Sequence, residues 1–126
     1  MFLIDSDNTI HITRGDIAVI EVCADTVGGK QHIFQPGDVV RLCVHACKQP
    51  ATVVLAKDVR VESETPTVDI ALESSDTKLG DVISKPVDYW YEIELNPDTA
   101  PQTIVGYDSY GPKIFRVYPE GGDTGA

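Results

Sequence analysis

One local pattern, a turn followed by a strand, occurs twice in this chain and constrains its fold more than any other feature. The first copy covers residues 14–24 and the second covers residues 36–46. Gly15 and Gly37 occupy the same place in the two copies, and each is followed by Asp and then by a mostly apolar run. Glycine accepts the positive φ that tight turns need, and alternating apolar residues are typical of strands. The repeat predicts two long strands, and we expect both to be central strands of a β-sandwich.

The two-residue period of a strand predicts which side chains of each copy face the core. In the first copy Glu21 lies on the row that faces away from the core, and in the second copy that row contains Arg41, Cys43 and His45. Both copies therefore have the same phase. The expected core rows are Ala18, Ile20 and Val22 in the first copy and Val40, Leu42, Val44 and Ala46 in the second.

The rest of the chain also has the pattern of short strands separated by turns. One short helical turn is expected near residues 74–80, capped by Ser74 or Ser75 and ending at Gly80. Between the two copies, Ile33 and Phe34 are expected to enter the core. Many strands with almost no helix favour an antiparallel sandwich or barrel. The further strands are expected at 2–4, 9–13, 52–61, 67–72, 87–95, 102–107 and 113–118.

Size and charge restrict the domain organisation and the partners. A chain of 126 residues is the size of one domain. We expect that domain over residues 1–119 and a flexible, acidic, Gly-rich tail over residues 120–126. The net charge of -10 disfavours nucleic acid and anionic membranes as partners. One explanation of this charge is that it keeps the protein soluble. The other is that the protein binds a basic partner or divalent cations.

The beginning of the chain does not have the pattern of a signal peptide. Its apolar residues 2–4 are followed at once by Asp5 and Asp7, and no basic region precedes them. No apolar run approaches the roughly 20 residues that a membrane-spanning helix needs. We therefore expect synthesis in the cytoplasm.

Arg14-Gly15-Asp16 is the tripeptide that integrins bind, but a turn explains it better. Gly37 and Asp38 repeat the glycine and the aspartate without the arginine. A turn accounts for both copies, whereas adhesion accounts for one.

The cysteines and one histidine define a possible metal site. Cys43, His45 and Cys47 alternate on one face, but Cys43 and Cys47 would be about 13 Å apart along a strand, too far for one zinc ion. Cys23 has the same phase as Cys43, so a cluster of Cys23, Cys43 and His45 is one alternative. Free thiols are the other, and we predict no cofactor.

Trp90 is the most informative single residue for function. Strand phase places it outward between Asp88 and Glu92, as expected for a partner interface or a platform for sugar stacking. A loop with Tyr107 or Tyr110 is expected either to cover it or to complete the sugar site. Glu92 and Glu94 are neighbours on one strand and do not face each other across a cleft, as glycosidase carboxylates do. We therefore predict no catalytic residues and no enzyme.

Three segments in a fixed order resemble a known family. Residues 12–16, 36–41 and 89–95 resemble immunoglobulin-like domains of tailed-phage and prophage virion proteins, above all the N-terminal domain of the phage baseplate upper protein. The resemblance covers residues 9–118. It implies an all-β, immunoglobulin-like sandwich of about 7–9 strands that attaches a fibre or receptor-binding apparatus to the virion.

From this resemblance we predict a virion structural protein of the tail, baseplate or head surface, made in the cytoplasm of the host bacterium. Its expected partners are other virion proteins, through self-association or a ring. Trp90, Glu92 and Arg41 are the expected contact residues. The alternative is a carbohydrate-binding module that uses Trp90 and a nearby tyrosine.

Overall fold

The computed structural model describes residues 1–26, 28–46 and 52–120, and within these ranges the chain forms nine strands and one short helix. Every predicted strand is present, with ends within a few residues of those expected. No helix in the described part of the chain is long and apolar enough to span a membrane. In chain order the elements are β1 (Phe2–Ile4), β2 (Ile10–Thr13), β3 (Ala18–Val22), β4 (Val39–Ala46), β5 (Val53–Arg60), β6 (Val68–Leu72), α1 (Ser74–Thr77), β7 (Val87–Leu95), β8 (Gln102–Val105) and β9 (Lys113–Tyr118).

The strands form two sheets. The larger sheet has the order β1-β2-β9-β7-β4-β5, with β8 also paired to β7, and the smaller sheet is β3-β6. The two sheets are the layers of a β-sandwich. The predicted all-β sandwich with one short helix is thus confirmed. All pairs are antiparallel except β2 and β9, which run parallel.

The core lies between the two sheets and contains the predicted inward rows. The rows of β3 and β4 are buried, except for Ala46, which is half-buried. Phe34 is fully buried as expected, but the prediction for Ile33 is wrong, because this side chain is 38% exposed. Phe34 forms an isolated bridge with Thr65, and in such extended backbone adjacent side chains point to opposite sides.

The two repeated turns have the same backbone geometry. Gly15 has φ +86° and Gly37 has φ +94°. The amide of Asp16 donates to the carbonyl of Thr13 at 3.0 Å, and the amide of Asp38 donates to the carbonyl of Gln35 at 3.0 Å. Both turns are therefore confirmed, with glycine at the position that requires positive φ.

The two strands that follow these turns have different surroundings. β4 lies between β5 and β7, whereas β3 pairs only with β6 in the described part of the chain. The expectation that both are central strands is correct for β4 and wrong for β3.

The helix α1 begins where it was expected, but it ends at Thr77, with Lys78 as the C-cap residue, and not at Gly80; its N-cap differs as well. Glu73, rather than a serine, is the N-cap residue, and its amide donates to Oδ2 of Asp76 at 2.8 Å. Thr77 is fully buried, and its hydroxyl donates to the carbonyl of Asp16 at 2.8 Å. The helix is therefore hydrogen-bonded to the first repeated turn.

The segment after β9 is partly fixed by Arg14. Glu120, predicted to begin the flexible tail, accepts a hydrogen bond from Nη1 of Arg14 at 2.9 Å, and Nη2 of Arg14 donates to the carbonyl of Gly80 at 2.9 Å. The arginine side chain is only 11% exposed and is bound within the molecule, which leaves little of it for an adhesion partner and favours the turn interpretation. The remaining predicted tail, residues 121–126, lies outside the described residues.

Candidate functional site

The predicted contact residues lie together on one side of the larger sheet. β4 and β7 are direct neighbours, with His45 opposite Trp90, Cys43 opposite Glu92 and Arg41 opposite Glu94. Side chains of directly opposite residues emerge on the same side of a sheet. We call this surface, which faces away from the core, the outer face; its residues on these two strands are Arg41, Cys43, His45, Trp90, Glu92 and Glu94.

Arg41 binds two carboxylates of its own chain. Its Nε and Nη2 donate to Asp58 at 2.7 and 3.0 Å, and its Nη1 and Nη2 donate to Asp98 at 3.2 and 3.0 Å. These bonds raise the pKa of Arg41, and the hydrogen bond from Arg41 lowers the pKa of Asp58. The guanidinium therefore connects β4 to β5 and to the turn after β7, and few of its donors are left for a partner.

A shallow depression of about 220 Å³ lies beside Trp90 on the outer face. Trp90 itself is half-buried, and Tyr107 at the rim is 80% exposed. The loop with Tyr107 therefore borders Trp90 and leaves the depression open. The residues that line it are His45, Trp90, Tyr91, Glu92, Tyr107, Pro112 and Lys113.

The floor of the depression is held by polar contacts. Lys113 is 6% exposed, and its Nζ donates to Asp108 at 2.7 Å, which lowers the pKa of Asp108. The hydroxyl of Tyr91 donates to the carbonyl of Asn8, and burial raises the pKa of Tyr91. Both side chains are thus held by hydrogen bonds, and the charge of Lys113 is already paired.

The rim of the depression offers polar groups to a ligand. Oε1 of Glu92 lies 3.3 Å from Nε2 of His45. Within the described residues, the indole N–H of Trp90 and the hydroxyl of Tyr107 have no hydrogen-bond partner. An aromatic surface, a carboxylate and unpaired donors therefore meet in one place.

The second tyrosine considered for the site lies elsewhere. Tyr110 is 88% exposed on the turn between Asp108 and Gly111, and it borders a different depression with Asp7 and Asn8. Of the two tyrosines, only Tyr107 lies beside Trp90.

The alternative cluster of Cys23, Cys43 and His45 is not formed. Cys43 and His45 lie on the outer face, whereas Cys23 is exposed just beyond the end of β3, in the other sheet. The repeat predicted the phase of each strand relative to the core, but two packed sheets present their outward rows in opposite directions. Among residues 1–26, 28–46 and 52–120, no group of three His, Cys, Asp or Glu side chains is suited to hold a metal ion. Cys47 lies outside the described residues.

A second polar cluster was not predicted. His11 on β2 lies 2.9 Å from Oδ2 of Asp5 through Nε2 and 2.7 Å from the hydroxyl of Tyr118 through Nδ1. Contacts with Asp7 and then His11 lower the pKa of Asp5 to about 2. The cluster connects β2 to β9, the parallel pair. No local signal in the sequence could have found it, because it depends on pairing between the two ends of the chain.

A comparison of this chain with protein-family models, with curated proteins and with solved structures finds no match.

Proposed function

We propose that this protein is a structural component of a phage virion that acts by protein–protein contacts in particle assembly or fibre attachment, at a tail, baseplate or head surface. The resemblance of three ordered segments to virion immunoglobulin-like domains suggests this role. The depression beside Trp90 is the observation that carries the binding function. Trp and Tyr are the residues most often found at the energetic centres of protein interfaces.

The position of Trp90 in the sheet suits a binding role. It lies on β7, between His45 of β4 and Ile114 of β9, so both neighbouring strands hold its backbone in place. A side chain presented by a rigid sheet loses little conformational entropy on binding, which favours affinity.

The edges of the sheets support the proposed self-association or ring. β5 forms one edge of the larger sheet, where Val53 and Val54 are 52% and 40% exposed, and β1 forms the other edge, where Leu3 is 54% exposed. Edge strands carry unpaired backbone groups that can pair with another chain. The partners we propose are other virion proteins or further copies of this chain, within the virion after synthesis in the bacterial cytoplasm.

The experiment is co-purification with virion particles after expression of tagged variants in the producing host. Trp90→Ala is expected to reduce incorporation at least about tenfold, as loss of an interface centre does. Tyr110→Ala is the matched control, because it removes an exposed aromatic side chain away from the depression, and it should leave incorporation unchanged. Absence of the wild-type protein from virions would overturn the proposal.

A carbohydrate-binding module is the second candidate, because Trp90 and Tyr107 border the same depression with Glu92 and His45 beside them. Aromatic rings can stack on a sugar ring while a carboxylate and an imidazole bind its hydroxyls. Glycan-array binding that is lost in both Trp90→Ala and Tyr107→Ala, and kept in Tyr110→Ala, would support this candidate. A blank array with the wild-type protein would contradict it.

A further inference from the structure

We propose that the depression beside Trp90 recognises a cationic side chain, the guanidinium or ammonium group of an Arg or Lys on the partner protein. This inference rests on the proposed function, since it names the chemistry of the contact that the partner makes.

The charges of the outer face favour a cation at this place. The two arginines near the depression are already paired, Arg116 with Asp88 at 2.6 Å and Arg41 with Asp58 and Asp98. Lys113 in the floor is paired with Asp108, so no unpaired cation of the described residues lines the depression. The negative charges that remain on the outer face of β4 and β7 are those of Glu92 and Glu94.

Glu92 and Glu94 have no paired lysine or arginine within the described residues. Glu92 lies 3.3 Å from His45, and Glu94 is opposite Arg41, whose guanidinium binds other carboxylates. The chain charge of -10 also favours association with a basic partner.

The aromatic side chains favour the same ligand. A cation over the face of a Trp or Tyr ring is attracted by the ring quadrupole, and Trp is the strongest of these acceptors. Trp90 and Tyr107 provide two rings beside the carboxylate of Glu92. An arginine can stack on the indole and bind the carboxylate at the same time.

The size of the depression distinguishes this ligand from others. About 220 Å³ is less than the 300–1,000 Å³ typical of sites for drug-sized molecules. It suits the end of a single side chain better than a sugar with its neighbours. A divalent cation would need six or more oxygen ligands, whereas the lining has one carboxylate.

The chain has one tryptophan, so its fluorescence reports on this site alone. The test is a titration of the full-length protein with N-acetyl-arginine amide, followed by Trp90 fluorescence and by the NMR signal of the indole N–H. N-acetyl-citrulline amide is the probe of the same shape without the charge, and methyl glucoside represents the sugar. We expect the arginine probe to bind at least about tenfold more tightly than the citrulline probe.

Two substitutions with the same chemical change show which carboxylate acts. Glu92→Gln is expected to weaken binding of the arginine probe about fivefold to tenfold, since it removes the charge beside the indole. Glu94→Gln is the control on the same strand and face, with an expected change below about twofold. Trp90→Phe keeps a ring and part of the affinity, and thermal unfolding shows that each variant is folded. Equal binding of arginine and citrulline, preference for methyl glucoside, or no effect of Glu92→Gln would overturn the inference.

Failure of the inference and failure of the proposed function can be told apart. If Trp90→Ala abolishes virion incorporation while arginine and citrulline bind alike, the function stands and the cationic ligand is wrong. If arginine is preferred but the protein is absent from virions, the site stands and the proposed role is wrong.

Discussion

The two turn-and-strand units have nearly the same local structure and very different positions in the fold. Both turns contain glycine with positive φ and close with a 3.0 Å hydrogen bond. After the first turn, β3 joins the two-stranded sheet and pairs only with β6. After the second turn, β4 lies between two partners in the larger sheet and contributes the outer face that carries the candidate site.

The difference between the units lies in their contacts. Asp16 binds the amino group of Met1, whereas Asp38 accepts hydrogen bonds from the Gln35 amide at 2.9 Å and from Asn96 at 3.2 Å. Asn96 in turn accepts a hydrogen bond from the Val39 amide at 2.8 Å. The same local motif is therefore attached to the rest of the molecule in two different ways, and paired substitutions can measure how much that matters.

The largest difference is expected in the core. Leu42→Ala should lower the free energy of unfolding by about 4 kcal/mol, and Ile20→Ala, at the equivalent position of the first unit, by about 3 kcal/mol. Leu42 is fully buried in β4, which is paired to a strand on each side, so its backbone can adjust little to a cavity. Ile20 is 3% exposed in β3, which is paired only to β6 in the described part of the chain, so its backbone can move to fill part of a cavity. Urea unfolding measures both values, with the 55% exposed Val19→Ala as control. A larger loss of unfolding free energy for Ile20→Ala than for Leu42→Ala would contradict the expectation that the strand with two neighbours is the less able to relax.

The turn glycines are expected to give the next largest effect. Gly37→Ala should cost about 1 kcal/mol because of its positive φ. Gly15→Ala should cost about 2 kcal/mol, because its added methyl group would also lie 3.2 Å from Cε of Lys78 and 3.3 Å from Oε1 of Glu120, whereas the space beside Gly37 is open. Thermal unfolding measures the difference. Equal losses would show that the two side chains move away freely.

For the turn aspartates, the larger loss of stability is expected in the second unit, whereas for the turn glycines it is expected in the first. Asp38→Ala should cost about 1.5 kcal/mol, since it removes the hydrogen bonds that Asp38 accepts from the Gln35 amide and from the Asn96 side chain. Asp16→Ala should cost about 0.5 kcal/mol, because an ion pair of two well-exposed groups contributes little. Chemical denaturation at low and at high salt separates the two, since the Asp16 effect should shrink with salt more than the Asp38 effect does.

Cys23 in the first unit and Cys43 in the second should differ in their rate of alkylation, a comparison that does not involve the stability of the fold. Burial, followed by the charge of Glu92, raises the pKa of Cys43, so less thiolate is present at a given pH. Cys23 is exposed. In a Cys47→Ser background, iodoacetamide at pH 8 should modify Cys43 about tenfold more slowly, and the rate profile of Cys43 should extend to higher pH. Mass spectrometry of the two peptides over time measures this, and equal rates would show that the outer face at Cys43 is open.

Alternation and turn chemistry predicted much of the fold. The positions of the strands, the inward rows of β3 and β4, the two glycine turns and the outward direction of Trp90 all follow from local residue order, because the two faces of β3, β4 and β7 differ in polarity. Ile33 was wrongly predicted, because apolar character alone cannot say which of two adjacent residues in an extended segment faces inward. Glu120 was assigned to a tail by composition, although a distant arginine binds it.

The site was predicted only in part. Trp90 and Glu92 could be placed on one face by their spacing, and Tyr107 was one of the two tyrosines expected at Trp90. The structure selects Tyr107 and adds His45 beside them. Cys23 does not join Cys43 and His45, because strand phase describes one strand alone. Whether the outward residues of two strands come close depends on which sheet each strand joins.

The sequence by itself determined where the strands form and which side of each is apolar, because these follow from steric and solvation preferences of consecutive residues. Only the tertiary structure decided that β3 and β4 separate into different sheets, that β2 and β9 run parallel, and that Tyr107 lies beside Trp90. These choices depend on pairing and packing between residues far apart in the chain, and many alternative pairings are compatible with the same local pattern.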